Sequence, residues 1–354
     1  MKIYNMGIIG FGGMGEHHYD QSKKMDRVNV IGMYDINSKR CTYAESLGLK
    51  AYASADEMLA DPDIDIVLVS TPNDTHKKYV IKALKADKNV ICEKPAAISS
   101  KDFLEMMQAA ESSKGVFTID QNRRVNKDFV LMRRQVESGV IGEPYVIESR
   151  VEGSRGMPEG WRTLKKYGGG MMLDWGVHLI DQIMYMYSDQ KVVNVFCKMF
   201  SINYPEIDDN FRLTMTFENG VVAHIEVSTN TFIQHPRWFV LGKKGTLKID
   251  SWDCKGKIVR EITKDDNWDT KIKKVKAGPS KTMAPRNPDT YEIRDLWPPE
   301  DVVDNIRPVY EQFINAIDGT GELTINPQQV LRVIKVMEAA FESDKNSTAV
   351  NTDI

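Results

Sequence analysis

At 354 residues the chain exceeds the usual size of a single hydrophobic core, so two domains are expected, and 42% hydrophobic with 27% charged residues excludes extensive disorder. With 47 basic against 50 acidic residues the net charge is -3, which gives no field favouring nucleic acid or an anionic membrane, and no apolar run approaches the roughly 18 residues of a membrane span. Cys41, Cys92, Cys197 and Cys254 form neither a C-x-x-C pair nor a disulfide framework, so a reduced, cytoplasmic protein acting on a small molecule is expected.

Residues 1–122 alternate short apolar runs with helical spacing, the pattern of βαβ units on a parallel sheet. Strands are predicted over 3–9, 28–34, 64–70, 89–92 and 116–120, with helices over 13–25, 38–47, 75–86 and 100–113. The first strand begins almost at Met1, leaving no room for a signal peptide. Between the first strand and first helix, Gly10-Phe11-Gly12-Gly13-Met14-Gly15 fits G-x-G-x-x-G. The first glycine permits a tight turn, the second lets backbone approach a pyrophosphate, and the third lets helix pack on strand, while the helix N-terminus directs free N–H groups at the phosphates. This is a dinucleotide-binding Rossmann pattern. Asp35, ending the second strand, can accept hydrogen bonds from a ribose and repels a 2′-phosphate, so NAD is expected over NADP; Lys39 and Arg40 lie close enough to compensate for a phosphate. His17 and His18, early in the first helix, read as a solvated or interdomain face.

After Asn122 the pattern changes. A helix over 126–137 is followed by strands over 145–152, 192–201, 211–217, 221–229, 237–241 and 246–249, several alternating polar with apolar residues as in Arg212-Leu213-Thr214-Met215-Thr216-Phe217. Residues 123–354 are therefore expected to form an α+β domain on a large, mostly antiparallel open sheet, with one face covered and one free for solvent or a partner subunit. Residues 253–301 lack periodicity and read as a long surface excursion. Amphipathic helices are predicted over 302–317, where Pro308 kinks or restarts the helix, and over 327–343, the last placed to pack back on the first domain.

Four further motifs follow the glycine loop in order: Thr71-Pro72-Asn73 with His76; Glu93-Lys94-Pro95; Asp120-Gln121-Asn122-Arg123-Arg124; and Gly168-Gly169-Gly170-Met171-Met172-Leu173-Asp174-Trp175-Gly176-Val177-His178-Leu179-Ile180-Asp181. Together they resemble the glucose-fructose oxidoreductase, inositol dehydrogenase and MocA family over nearly the whole chain. The resemblance implies a catalytic site lined by Lys94, Asp174 and His178. It implies cofactor contacts from the glycine loop, Asp35, Thr71, Pro72, Asn73, His76, Glu93, Lys94 and Gln121, and a homodimer or homotetramer formed through the C-terminal sheet.

Oxidising a secondary alcohol requires a base near the hydroxyl while hydride leaves the same carbon. His178 titrates near neutral pH and suits that role; Asp174, four residues earlier, can orient the imidazole or bind a substrate hydroxyl, and Lys94, just past a strand end, can stabilise alkoxide charge. Arg123, Trp161 and Arg162 are further candidate substrate contacts, and Asp181 a support for the Asp174 and His178 face. His76 either approaches the nicotinamide ribose or sits on a helix surface. No cluster of histidine and carboxylate has metal-ligand spacing, so no metal is expected. The leading function is an NAD-dependent dehydrogenase of a sugar, cyclitol or glycoside, the ring-hydroxyl class being what the resemblance implies. Two alternatives stand beside it: an enzyme that holds and recycles NAD to assist elimination or glycosidic cleavage, and a non-catalytic regulator, against which Lys94 and His178 argue.

Overall fold

The computed structural model describes residues 1–265 and 286–354, with the backbone of two short strands between them, β14 (Lys274–Val275) and β15 (Gly278–Pro279). The first half runs β1 (Tyr4–Ile9), α1 (Gly13–Ser22), β2 (Val28–Tyr34), α2 (Ser38–Ser46), β3 (Lys50–Ala51), α3 (Ala55–Ala60), β4 (Ile66–Val69), α4 (His76–Lys85), β5 (Asn89–Cys92), α5 (Ser100–Glu111) and β6 (Phe117–Ile119). The strands form one parallel sheet in the order β3-β2-β1-β4-β5-β6. Every residue of β4 is buried, as a parallel strand covered by helices on both faces requires. Strand order reverses between β1 and β4, and a crevice opens there beyond their C-terminal ends. The two elements not foreseen, β3 and α3, are too short to show a periodic pattern; Ser54 starts α3 by accepting from the Glu57 N–H.

The second half contributes α6 (Lys127–Glu137), β7 (Pro144–Glu152), α7 (Val177–Met186), β8 (Val192–Phe200), β9 (Asn210–Phe217), β10 (Val222–Ser228), β11 (Trp238–Gly242), β12 (Gly245–Ile249), β13 (Gly256–Glu261), β16 (Tyr291–Leu296), α8 (Arg307–Ile317), α9 (Pro327–Asn346) and β17 (Val350–Asn351). Nine strands lie in the order β16-β13-β12-β11-β7-β10-β9-β8-β17, antiparallel except for the β7–β10 pair. Helices α6, α7 and α9 pack against β12, β10 and β8, whereas Phe196 and Phe200 of β8 and Ile293 of β16 remain exposed. The excursion expected over 253–301 needs correction, because β13 and β16 extend the sheet at its edge. Their charged sequences, GKIVRE and YEIRDL, show little apolar alternation; β16 is the edge strand, and β13 beside it pairs with both β12 and β16. The part of that expectation covering 266–285 lies outside the described residues.

Helix α8 starts at Arg307, with Pro308 in its first turn where the missing N–H is no loss. It buries Tyr310, Phe313 and Ile314 against Met6, Ile8 and Phe11 of the first sheet. Helix α9 touches β6, α5, α7 and β8 and so joins both sheets. The Arg124 guanidinium donates to both Asp181 oxygens at 2.7 and 2.6 Å and to Gln329 Oε1 at 2.8 Å, and the Ser100 N–H donates to Glu338 at 2.8 Å. The buried, two-pronged pair fixes Arg124 on α7, and the contacts to Gln329 and Glu338 then tie α9 to both halves of the chain. Among the described residues no helix is long and apolar enough to cross a membrane.

Candidate active site

The glycine loop closes β1 onto α1. A Cβ on Gly15 would lie 2.2 Å from the Gly10 carbonyl oxygen, so any side chain there would push the helix off the loop. A Cβ on Gly12 or Gly13 would meet nothing within 4 Å, so that stretch of backbone borders open space. Gly12 caps α1 without a side-chain acceptor, leaving the first N–H groups of the helix directed into the cleft. Phe11 faces the core and contributes its N–H, which donates to Asp35 Oδ2 at 2.7 Å; the Asn37 N–H donates to Asp35 Oδ1 at 2.8 Å. Each oxygen keeps a lone pair for a ligand hydroxyl. Asn37 caps α2 by accepting from the Lys39 N–H, so Asp35 is free of that duty.

This loop borders a cleft of about 420 Å³ whose lining includes Gly10, Gly12, Gly13, Met14, Asp35, Thr71, Pro72, Asn73, Glu93 and Lys94. Asn73 Oδ1, a buried acceptor without a partner, lies in its lining; the Gln121 amide, whose two polar atoms are likewise buried without partners, is not among the residues that line either this cleft or the cavity beside it. Open backbone, an uncapped helix start, a braced carboxylate and an unsatisfied amide oxygen fit a dinucleotide. His76 lies elsewhere. It is buried, with its ring nitrogens 2.9 Å from the Pro95 carbonyl and 2.8 Å from the Thr71 carbonyl, and ties the two loops together behind the cleft; burial lowers its pKa. Trp161, expected at the substrate, lines this cleft instead. Ile36, Tyr34 and Tyr79, which the sequence did not single out, line it too; an exposed isoleucine directly after Asp35 was the available signal.

A second cavity of about 480 Å³ adjoins the first, with Met14, Glu93, Lys94 and Arg162 lining both. Its wall is built where the glycine run enters a π turn, Met172–Gly176, that leads into α7. A Cβ on Gly169 would lie 2.3 Å from the Arg162 carbonyl oxygen, a closeness that brings the Arg162 loop over the turn. The Met172 N–H donates to Asp208 Oδ2 at 2.6 Å, and burial pushes the Asp208 carboxyl up to about 7. Within the turn, Asp174 Oδ1 accepts from Lys94 Nζ at 2.9 Å and from Arg162 Nε at 3.1 Å. Burial opposes ionisation of Asp174, but the two cations outweigh it and hold its carboxyl below the ordinary range. His178 is buried, and its pKa falls well below the ordinary value because burial, Lys94, Arg123 and Arg237 all disfavour the imidazolium. Its Nδ1 has no partner. Asp174 therefore does not orient the imidazole. Asp181 pairs with Arg124, away from the Asp174 and His178 side chains. Two cavity residues had no sequence signal: Glu152 and Thr229, each ending or following an alternating strand of the second sheet.

Of the two alternatives for His18 the solvated one fails, and its contact with Tyr310 of the second half fits the interdomain one. His17 is exposed, but His18 is fully buried, with Nε2 2.9 Å from Glu93 Oε1 and 3.4 Å from Asp120 Oδ2, and Nδ1 2.8 Å from the Tyr310 hydroxyl. Burial opposes its charge, yet Tyr310, Asp120 and Glu93 raise its pKa well above the ordinary value. A histidine–carboxylate cluster thus exists after all, its candidate ligand atoms within 4.8 Å of one another, because α1 meets the ends of β5 and β6. A protonated imidazole has no lone pair for a cation, and its N–H groups satisfy the carboxylates directly.

Residues 4–121 match the family model for an oxidoreductase family with an NAD-binding Rossmann fold, and residues 129–248 match the GFO/IDH/MocA C-terminal domain. The solved structure of an NAD-binding protein from Listeria innocua is 38% identical, with a TM-score of 0.88 over 99% of this chain and 97% of that one. The myo-inositol 2-dehydrogenase of Thermotoga maritima is 29% identical over 73% of this chain and 76% of that protein. The 1,5-anhydro-D-fructose reductase of Ensifer adhaerens is 30% identical over 68% and 74% respectively.

Proposed function

The chain belongs to the GFO/IDH/MocA family of NAD-binding oxidoreductases, and on that premise we propose that it transfers hydride between a secondary hydroxyl of a sugar, cyclitol or glycoside and NAD. The observation that carries this reading is the junction of the two cavities at Lys94. A nicotinamide held in the glycine-loop cleft supplies the hydride acceptor there. Lys94 directs its ammonium at the substrate oxygen and stabilises alkoxide charge, while Asp174 fixes the ammonium through two contacts of 2.9 Å. His178, kept neutral by burial and by the cations around it, accepts the hydroxyl proton. Arg162 donates to the same Asp174 oxygen and lines the cavity.

NAD is favoured over NADP because the braced Asp35 carboxylate repels a 2′-phosphate and Arg40, on the helix that follows, is paired with Glu16 at 3.2 Å. The inositol and anhydrofructose activities named for the two relatives support a polyhydroxylated ring. Residues 1–122 form the cofactor unit and residues 123–354 the substrate unit. The exposed aromatic positions of the second sheet support a homodimer or homotetramer, which sedimentation would reveal as a multiple of 40.3 kDa. Incubating the protein with NAD and a panel of inositols, sugars and glycosides tests the function through NADH formation. Bond cleavage without net NADH would replace the dehydrogenase with a closed redox cycle, and no reaction with any member would overturn the ring-hydroxyl reading.

A further inference from the structure

The substrate cavity is lined by three carboxylates, Glu93, Glu152 and Asp174, and three cations, Lys94, Arg123 and Arg162, but they do not pair one to one. Lys94 and Arg162 share the single carboxylate of Asp174. Glu93 is occupied by His18, and Glu152 accepts from the backbone N–H of His235 at 2.6 Å with the His235 ring 2.9 Å away. Arg123 remains. It lines the cavity, yet no carboxylate lies within ion-pair distance of it among the described residues, and its buried Nε has no hydrogen-bond partner. Its guanidinium lies over Trp175 at 4.2 Å and within 5.5 Å of the Trp252 ring.

This arrangement differs from that of the neighbouring Arg124, whose five-donor fork is spent on Asp181 and Gln329. Stacking on an indole fixes the plane of a guanidinium while leaving its N–H edge uncommitted. A planar cation held by its face, largely removed from water and with no carboxylate in direct contact, is organised to take two parallel hydrogen bonds from a carboxylate or phosphate. Burial lowers the Arg123 pKa, while Asp128, Asp304, Asp174 and Asp120 act against that from beyond ion-pair distance, and an arginine so shifted still carries its charge at neutral pH. Leaving that charge unpaired in a half-closed cavity is costly, and an anionic ligand removes the cost.

We infer that the ring substrate carries an anionic group, a carboxylate or a phosphate, and that Arg123 receives it across the cavity from Lys94. The inference rests on reading this cavity as the substrate site. It narrows the substrate class from polyhydroxylated rings in general to acidic ones such as uronates or sugar phosphates.

The test uses the full chain loaded with NAD, titrated with glucuronate and galacturonate against glucose and galactose, and with glucose 6-phosphate as a separate arm. Binding is followed by calorimetry and by the fluorescence of the indoles beside Arg123. At least one acid is expected to bind about 10-fold or more tightly than its neutral counterpart, the size of one charge-assisted contact. In Arg123→Met that ratio collapses towards one, and in Arg123→Lys it falls part of the way. NAD affinity, measured in the same variants, checks that the cofactor side is intact. The uronate and phosphate arms identify which anion is taken. Equal affinity for acid and neutral sugars, no binding of any acid, or an acid preference that survives Arg123→Met would each overturn the inference. Acid-selective binding with no NADH would leave it standing and sink the dehydrogenase reading. NADH formed from neutral rings as readily as from acids would do the reverse.

Discussion

On the dinucleotide side of the cleft His18 lies between Glu93 and Asp120 and keeps a proton; on the substrate side His178 lies among Lys94, Arg123 and Arg237 and keeps none. Both rings are buried, and burial disfavours charge on both, so the opposite outcomes come from the sign of the neighbours. The switch occurs within one dipeptide. Glu93 turns to His18 while Lys94 turns to Asp174 beside His178. One imidazole thereby becomes a fixed structural cation and the other an available base.

The largest effect that separates the two walls is on turnover. Lys94→Met and His178→Asn are expected to lower it by about 10²–10⁴-fold with NAD titration curves unchanged; a loss of only a few-fold would remove chemistry from that wall. Next in size is stability. His18→Asn strips two buried carboxylates of their counter-ion and should cost about 3–5 kcal/mol in denaturant unfolding, whereas His178→Asn at neutral pH removes no charge and should cost far less. Comparable losses in both variants would break the contrast.

Stability against pH sharpens the same comparison with opposite signs. His18 has a raised folded pKa, so its contribution is complete below the ordinary value of 6.5 and is lost as pH rises towards the folded value. His178 has a depressed folded pKa, so its contribution is present above 6.5 and is lost as pH falls towards the folded value. His18→Asn should flatten the alkaline slope and His178→Asn the acid slope, each by up to about 1.4 kcal/mol per pH unit. The smallest effect concerns cofactor choice. Asp35→Ser should move the NAD-to-NADP affinity ratio towards NADP by about 10-fold, roughly one lost charge repulsion; an unchanged ratio would shift the specificity to other residues.

Legibility from sequence follows the same division. The glycine loop and Asp35 could be read because backbone shape over a contiguous stretch sets them, and the parallel sheet because short apolar runs alternate with helical spacing. The substrate wall could be read as motifs but not as pairings. Asp174 and His178 are four apart, yet the π turn and the reach of Lys94 direct Asp174 to cations rather than to the imidazole. His18 next to His17 read as a solvated or interdomain face with no partner named, because its partners come from the ends of β5 and β6, whose alignment with α1 is tertiary. Trp161 was assigned to the ring substrate from proximity in sequence, whereas its loop turns it to the other cavity. Strands β13 and β16, the outermost pair of the second sheet, escaped notice because charged residues interrupt their alternation.

Helix α8 gives the molecule a timetable. Tyr310 contacts His18, and Phe313 and Ile314 pack with Met6 and Ile8, so the first sheet acquires the cover of its outer core from residues made only after the second sheet. At about 5–20 residues per second, the emerging β1–β6 segment waits on the order of ten seconds or more with that apolar surface bare. A ribosome-bound chain halted before Arg307 should therefore recruit chaperones, and the pairing of Tyr310 with His18 makes emergence of α8 a condition for the buried charge beneath the cofactor cleft.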